Sequence, residues 1–379
     1  MTYLLQQDYH SLNCHQQITY MIHDLHVPPG STIGILGGGQ LGKMISVAAT
    51  KLGYKTHLLT DNLNNPSVQV TNNVTILDSH TNTEQLLEFA SSISVATLEF
   101  ENIPSNIINI LQQKTSIYPG IDALYISQNR IREKQHIRNL GIATTDFAII
   151  NNYEDLIYTA SEFGYPTLLK TAELGYDGKG QYIIRQKEDL SKLSSLNWEI
   201  TYVLEKFLKI DKEISIIISK NIHGITEFFP AAENYHNNGI LVRSSVPAQI
   251  NQEMHIKAQE LTKKIAESFN LIGLLAVEFF ITETQELIVN EIAPRPHNSG
   301  HWSLDACNVS QFEQLVRAIC GLPLQPVKLL FPCTMYNILG EDIYKYYKHH
   351  TQINESVYIY GKNKASQNRK MGHINILQY

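Results

Sequence analysis

The sequence is poor in the features that mark secreted, membrane-spanning or nucleic-acid-binding chains. Four cysteines occur in 379 residues (Cys14, Cys307, Cys320, Cys333), far apart and with no CxxC pair. Such spacing fits neither a disulfide framework nor a zinc site, so reduced, mostly buried thiols and a cytoplasmic location are expected. No apolar run approaches the roughly 18 residues that span a bilayer. Lys and Arg number 30 against 36 Asp and Glu. With no positive excess to neutralise phosphates or an anionic surface, neither nucleic acid nor membrane is expected as a partner. Residues 1–30 contain no Lys or Arg and no continuous apolar core, which excludes an ordinary secretory signal. Four histidines there (His10, His15, His23, His26) lack regular ligand spacing, and the segment reads as a polar extension. No internal repeat stands out.

What remains is an ordinary globular composition, long enough for two or three domains. After Pro28-Pro29-Gly30 comes a short apolar strand, Thr32–Leu36, then Gly37-Gly38-Gly39-Gln40-Leu41-Gly42 and a helical stretch to about Leu52. A second strand, Lys55–Thr60, ends at Asp61. Further apolar runs alternate with helical segments to about residue 120, predicting a small parallel sheet. Gly37-x-Gly39-x-x-Gly42 matches the dinucleotide fingerprint, and Asp61 stands where a ribose-binding acid would be. The same glycines also serve tight strand-to-helix turns that bind no dinucleotide. A nicotinamide-dependent oxidoreductase is therefore one reading of this segment.

From Asp122 to Leu140 the pattern predicts a charged amphipathic helix with Arg130, Arg132 and Lys134. A second αβ region follows, in which the strand Pro166–Lys170 ends in a lysine that is costly to bury without an anion. A triphosphate would supply one. The loop Glu173–Gln181 holds Gly175, Tyr176, Asp177, Gly178, Lys179 and Gly180, suited to bringing backbone amides over anionic oxygens. It lacks the Ser or Thr of a Walker loop, and a flexible surface turn is the plain alternative. Glu205 and Glu213 flank Phe207-Leu208 in strand-like sequence, either facing a sugar edge or simply solvated. Helices are expected over Gln252–Asn270 and Ala306–Cys320.

Between those helices lie two apolar runs, Leu275–Ile281 and Leu287–Ile292, joined by Glu283-Thr284-Gln285-Glu286, a β-hairpin signature. A symmetric loop centred between Thr284 and Gln285 places Glu278 opposite Glu291, with Cβ atoms roughly 4.5–5.5 Å apart. Such a pair on apolar strands calls for a cation between them, and oxygen ligands suit Mg²⁺. A one-residue slip would instead send the acids to opposite faces. Just beyond, Arg295, His297, Asn298, Ser299 and His301 crowd a stretch whose prolines forbid a helix, placing many donors beside the acids. Lys362, Arg369, Lys370 and His373 form a basic cluster near the end of the sequence, either a binding surface or a solvated face.

Taken together, IGILGGGQLGKM (33–44), EFENIP (99–104), GYDGKGQ (175–181), EKFL (205–208), EIS (213–215), VEFF (277–280), NEIAPRPHNSGHWS (290–303) and RKMGH (369–373) resemble the ATP-grasp superfamily and, within it, the N5-carboxyaminoimidazole ribonucleotide synthetases. Leu174 departs from the pattern, standing where that family usually has glycine, as does Asn129, where aspartate is common. The resemblance implies an α/β and α+β architecture: a Rossmann-like domain (31–125), an ATP-grasp domain (126–322, lid about 147–205) and a small β-rich C-terminal domain (323–379). It implies ATP and Mg²⁺ as cofactors, 5-aminoimidazole ribonucleotide and bicarbonate as substrates, and a homodimer. Arg130 and Lys170 would meet phosphates under the Gly175–Gln181 loop. The stretch Glu205, Lys206, Phe207, Leu208 would hold adenine and Glu213 the ribose, with His236 lining the site. Glu278 and Glu291 would ligate Mg²⁺, with Asn290 close by. Gly39, Gln40, Leu41, Tyr176, Arg295, His297, Lys362 and Arg369 would contact the ribonucleotide. Arg295, His297, Tyr176 and Asp177 would serve catalysis, His297 and Asp177 being candidates for the base. The resemblance also removes the dinucleotide from the Gly37–Gly42 turn. A ligase using formate or an amino acid is the alternative within the superfamily.

Overall fold

The computed structural model describes residues 26–78, 80–175, 180–349 and 351–379. Its first sheet is parallel and five-stranded: β1 (Thr32–Leu36), β2 (Lys55–Thr60), β3 (Asn73–Ile76), β4 (Val95–Leu98) and β5 (Ile117–Tyr118), in the order β3-β2-β1-β4-β5. The apolar runs form these strands because a parallel sheet flanked by helices buries both faces. Order reverses between β1 and β4, and the Gly37–Gly42 turn and the segment after Leu98 emerge there side by side, where open α/β sheets bind ligands.

A small antiparallel sheet follows: β6 (Phe147–Ile150), β7 (Thr167–Thr171), β8 (Gln181–Ile184) and β9 (Tyr202–Lys206), in the order β6-β9-β7-β8. The third sheet has nine strands. They are β10 (Ile210–Lys220), β11 (Thr226–Phe228), β12 (Ala232–Asn237), β13 (Ile240–Val246), β14 (Gly273–Thr282), β15 (Leu287–Ala293), β16 (Cys333–Leu339), β17 (Glu355–Ile359) and β18 (Lys370–Leu377). Its order is β15-β14-β10-β12-β13-β16-β18-β17, with β11 beside β10. The C-terminal strands thus hydrogen-bond onto the same sheet through β13 and β16.

The helix Gln311–Ile319 ties this sheet to the first. Phe312, Leu315 and Val316 share one buried cluster with Ile45 and Ala48 of the helix Gln40–Lys51, and Lys51 Nζ reaches Glu313 at 2.8 Å. Two expected helices are interrupted. The stretch 122–140 divides into Ile121–Ser127 and Arg130–Asn139, because the Asn129 side chain accepts from the amides of Ile131 and Arg132 and starts a new helix. The stretch 306–320 divides because Ser310 caps Gln311–Ile319 through the Glu313 amide. Among the described residues no helix is long and apolar enough to cross a membrane. Cys307, Cys320 and Cys333 are free and buried.

Candidate active site

β14 and β15 do place Glu278 opposite Glu291, but not by the symmetric loop. The turn is one residue tighter: Gln285 takes a left-handed conformation (φ 63°), and Ile281 pairs with Leu287. In that register Glu278 would face Asn290. A β-bulge between the Phe279–Val289 and Glu278–Glu291 pairs adds one residue to β15 at Asn290 and brings the two acids level. The bulge, not the loop, aligns the pair.

Glu278 is buried, and burial together with the charge on Glu291 pushes its carboxyl up to about 7. Glu291 opens further to solvent. Burial would raise its carboxyl too, but Arg130 (Nη1 at 3.4 Å), Lys170 and His236 hold it below the ordinary range. His236 on β12 pairs with Glu213 on β10. Burial alone would lower the imidazole, yet the bond to Glu213 and the charges of Glu278 and Glu291 lift it to about 9, making it a resident cation. Two facing carboxylates, one raised by the other, with the Asn290 amide at the bulge, form a donor set that suits a hard divalent cation.

Beyond Glu291 the chain stays irregular. Arg295 Nε lies 2.7 Å from Glu101 Oε1, and the His297 amide donates to Gln311 Oε1 at 2.9 Å. His297 Nε2 stands 3.7 Å from Glu278 Oε1 while its Nδ1 meets Ser299 Oγ at 2.8 Å, so the donor-rich segment abuts the carboxylate pair. Burial and the charge of Arg295 keep His297 neutral, far below its usual pKa.

Behind it, His301 and His373 are fully buried with ring centroids 4.9 Å apart. Burial lowers both, His373 to about 3. In the folded protein they stay neutral where the unfolded chain takes up protons. Stability therefore falls as pH drops below the unfolded value near 6.5, by about 1.4 kcal/mol per pH unit for each histidine. Urea unfolding at pH 6.5 and 5.0 is expected to show a loss of about 3 kcal/mol from this pair. His373→Gln should reduce that slope, and an unchanged slope would refute its source in His373.

On the nucleotide side, Lys170 is buried, but the protein supplies its anion. Lys170 Nζ donates to Glu205 Oε2 at 2.8 Å, and Lys134 Nζ lies 3.0 Å from Glu205 Oε1. Glu205 therefore faces neither a sugar edge nor solvent, correcting that reading of its side chain. Burial would raise Glu205, but Lys170 and Lys134 together hold it down at about 2. Lys206, which ends β9, and Phe207 after it are exposed, and Leu208 is half-buried. Arg130 Nη2 donates to the Gly175 carbonyl at 3.0 Å, and the Thr171 amide donates to the Gly180 carbonyl, which precedes Gln181 at the start of β8. Leu174 has φ 59°, a left-handed geometry in which glycine is unstrained and leucine is not. Tyr176, Asp177, Gly178 and Lys179 lie outside the described residues.

The Gly37–Gly42 turn explains itself without a dinucleotide. The Glu99 carboxylate, just past β4, accepts from the Gly39 and Gly42 amides and fills the seat a pyrophosphate would take. A Cβ on Gly39 would lie 2.6 Å from that carboxylate, so the glycine is needed for close approach. Asp61 accepts instead from the Asn65 side chain. Leu41 is buried in the core and Gln40 opens the helix, so of the three turn residues expected at the ribonucleotide only Gly39 and Gln40 reach the surface. Lys362 donates to the Lys370 carbonyl at 2.7 Å, and exposed Arg369 donates to the Lys364 carbonyl at 2.9 Å. Glu99, Glu101 and Lys134 were not singled out as site residues from sequence; their partners are distant in the chain, and only the Arg130–Lys134 spacing gave a local signal.

Three family models match in series: the ribonucleotide synthetase preATP-grasp domain over 31–128, the ATP-grasp domain over 135–312, and the phosphoribosylaminoimidazole carboxylase C-terminal domain over 333–379. The chain is 40% identical over 351 residues to the N5-carboxyaminoimidazole ribonucleotide synthase of Bacillus subtilis (strain 168), covering 92% of each. The chain belongs to the N5-carboxyaminoimidazole ribonucleotide synthase family. Solved structures of this synthase family superpose along nearly the whole chain. The Staphylococcus aureus synthetase complexed with ADP has a TM-score of 0.88 at 37% identity, covering 93% of this chain and 94% of its own. The Aspergillus clavatus synthase in complex with ADP and 5-aminoimidazole ribonucleotide has a TM-score of 0.82 at 27% identity, covering 92% and 94%.

Proposed function

We infer that the protein is an ATP-grasp carbon–nitrogen ligase that carboxylates 5-aminoimidazole ribonucleotide at the expense of ATP in purine biosynthesis. The observation that carries this reading is the levelled Glu278–Glu291 pair, ringed by Arg130, Lys170 and His236 and abutting Arg295–His297, in a chain of this family. We assign bicarbonate as the carboxyl source and a homodimer as the working assembly.

In the proposed reaction a bicarbonate oxygen attacks the γ-phosphorus, the bond to the β–γ bridging oxygen breaks, and ADP leaves. The amine of the ribonucleotide then attacks the carboxyl carbon of carboxyphosphate. The carbon–oxygen bond to phosphate breaks, phosphate departs, and the nitrogen loses a proton. Glu278, Glu291 and Asn290 would hold Mg²⁺, which supplies charge neutralisation at the phosphate oxygens. Arg130 and Lys170 line the same cleft for the phosphates, and Glu213 and His236 for the nucleotide. Arg295, beside Glu101 and Pro296, presents a guanidinium suited to bicarbonate or phosphate. His297, held neutral with its pKa far below 7, is a weak base, and its burial supports orienting the acceptor rather than removing a proton. We place Tyr176 and Asp177 in the loop that closes over the phosphates, and Lys362 and Arg369 at the ribonucleotide.

Purified protein with MgATP is expected to release ADP only when both 5-aminoimidazole ribonucleotide and bicarbonate are present, with nicotinamide nucleotides inert. Equal phosphate release with formate or an amino acid in place of bicarbonate would overturn the carboxyl assignment.

A further inference from the structure

The Lys134–Glu205–Lys170 cluster carries two cations and one anion in a place nearly closed to water, with side chains 2%, 4% and 8% exposed. A surplus of one buried positive charge is unfavourable unless an anion can reach it. The two lysines are not equivalent. Lys170, at the end of β7, makes an aligned hydrogen bond to Glu205 and is the more open of the two. Lys134 comes from the helix Arg130–Asn139, one turn after Arg130, and meets the other carboxylate oxygen from behind, close enough for an ion pair but not aligned as a hydrogen bond.

We propose that Lys134 is a positioning residue for phosphate recognition: it keeps Glu205 neutralised so that Lys170 can leave the carboxylate for the phosphates of a bound nucleotide. The inference rests on the nucleotide site proposed above. Without Lys134, drawing Lys170 away would strand a buried carboxylate with no counter-charge, so Lys170 stays on Glu205 and the nucleotide loses a phosphate contact. With Lys134 present, one charge on Glu205 is always matched and the second lysine is free to exchange partners.

The test is calorimetric titration of full-length protein with ADP and with adenosine, in Mg²⁺ buffer. Lys134→Met is expected to weaken ADP by about tenfold or more, the loss of one charge-assisted contact, while leaving adenosine unchanged. Lys134→Arg should restore ADP to within about threefold, because it keeps the charge. Lys170→Met should weaken ADP at least as much as Lys134→Met. If Lys134→Met does not fold, Lys134→Gln gives the same readout. Wild-type ADP affinity in Lys134→Met with a loss in Lys170→Met overturns the role of Lys134 and leaves the nucleotide site standing. Wild-type affinity in both overturns the underlying assignment of Lys170. Equal losses for ADP and adenosine show a role in folding only, and also overturn the proposal.

Discussion

Glu291→Gln is expected to lower turnover on the order of a thousandfold while leaving the fold intact, because it removes one of the two carboxylates that would hold the metal. The stability readout makes this result specific. The β-bulge sets Glu291 level with Glu278, and the pair repel each other when no cation lies between them. The neutral amide of the variant abolishes that repulsion and lets the Glu278 carboxyl fall back from about 7. In chelator the variant should unfold close to the native protein, because the lost attraction to Arg130, Lys170 and His236 offsets the relief of that repulsion. With Mg²⁺ and ADP the native protein should gain the larger increase, since only it retains both carboxylates for the cation. Turnover within about tenfold of native, or equal gains in both proteins with Mg²⁺ and ADP, would remove Glu291 from the metal site.

Glu205→Leu is expected to be the most destabilising single change at the site, costing about 3–5 kcal/mol at pH 7. The leucine leaves Lys134 and Lys170 buried together with no carboxylate in contact. Burial already lowers Lys170, with Glu205 acting against it. Once Glu205 is gone, a lysine folds most easily in its neutral form, while the unfolded chain still binds the proton up to the ordinary lysine value near 10.5. The unfolded state then holds more protons, so stability rises with pH and the loss should shrink between pH 7 and pH 9. Urea unfolding at both values checks magnitude and sign. A loss below about 1 kcal/mol would mean that the three side chains are solvated and the buried cluster is not real.

Much of this arrangement was legible in the sequence, and what was not has identifiable physical causes. The apolar runs of β1, β2, β4, β7, β9 and β14 announced strands because their burial leaves continuous or alternating hydrophobic stretches. The strands β11–β13 went unread, since their residues are partly exposed and carry polar side chains such as Asn234, Tyr235, His236 and Arg243. A local signal was nevertheless there: Asn238-Gly239, both left-handed (φ 50° and 76°), is a strong hairpin turn. The break at Asn129 was written in a capping residue inside a helical pattern. The facing of Glu278 and Glu291 was reached from sequence by a loop one residue too long, offset by a bulge that no periodicity displays. Lys170 and Glu205 both stand out in the sequence, one as a phosphate ligand and the other as facing a sugar edge or solvent, but their contact with each other, 35 residues apart, cannot be seen along the chain.

The Glu99 contact with the glycine turn has a wider consequence. Turns of this kind usually gain order when a ligand docks on their amides. Here the docking group is part of the chain, so the Gly39 and Gly42 amides are already satisfied by Glu99 without a small molecule. The rim it gives to the neighbouring cleft, including Arg295 and Lys362, whose charges act on Glu99, is therefore set before any substrate arrives. The seat is filled from within, and a search by pattern alone will keep mistaking the tenant for a vacancy.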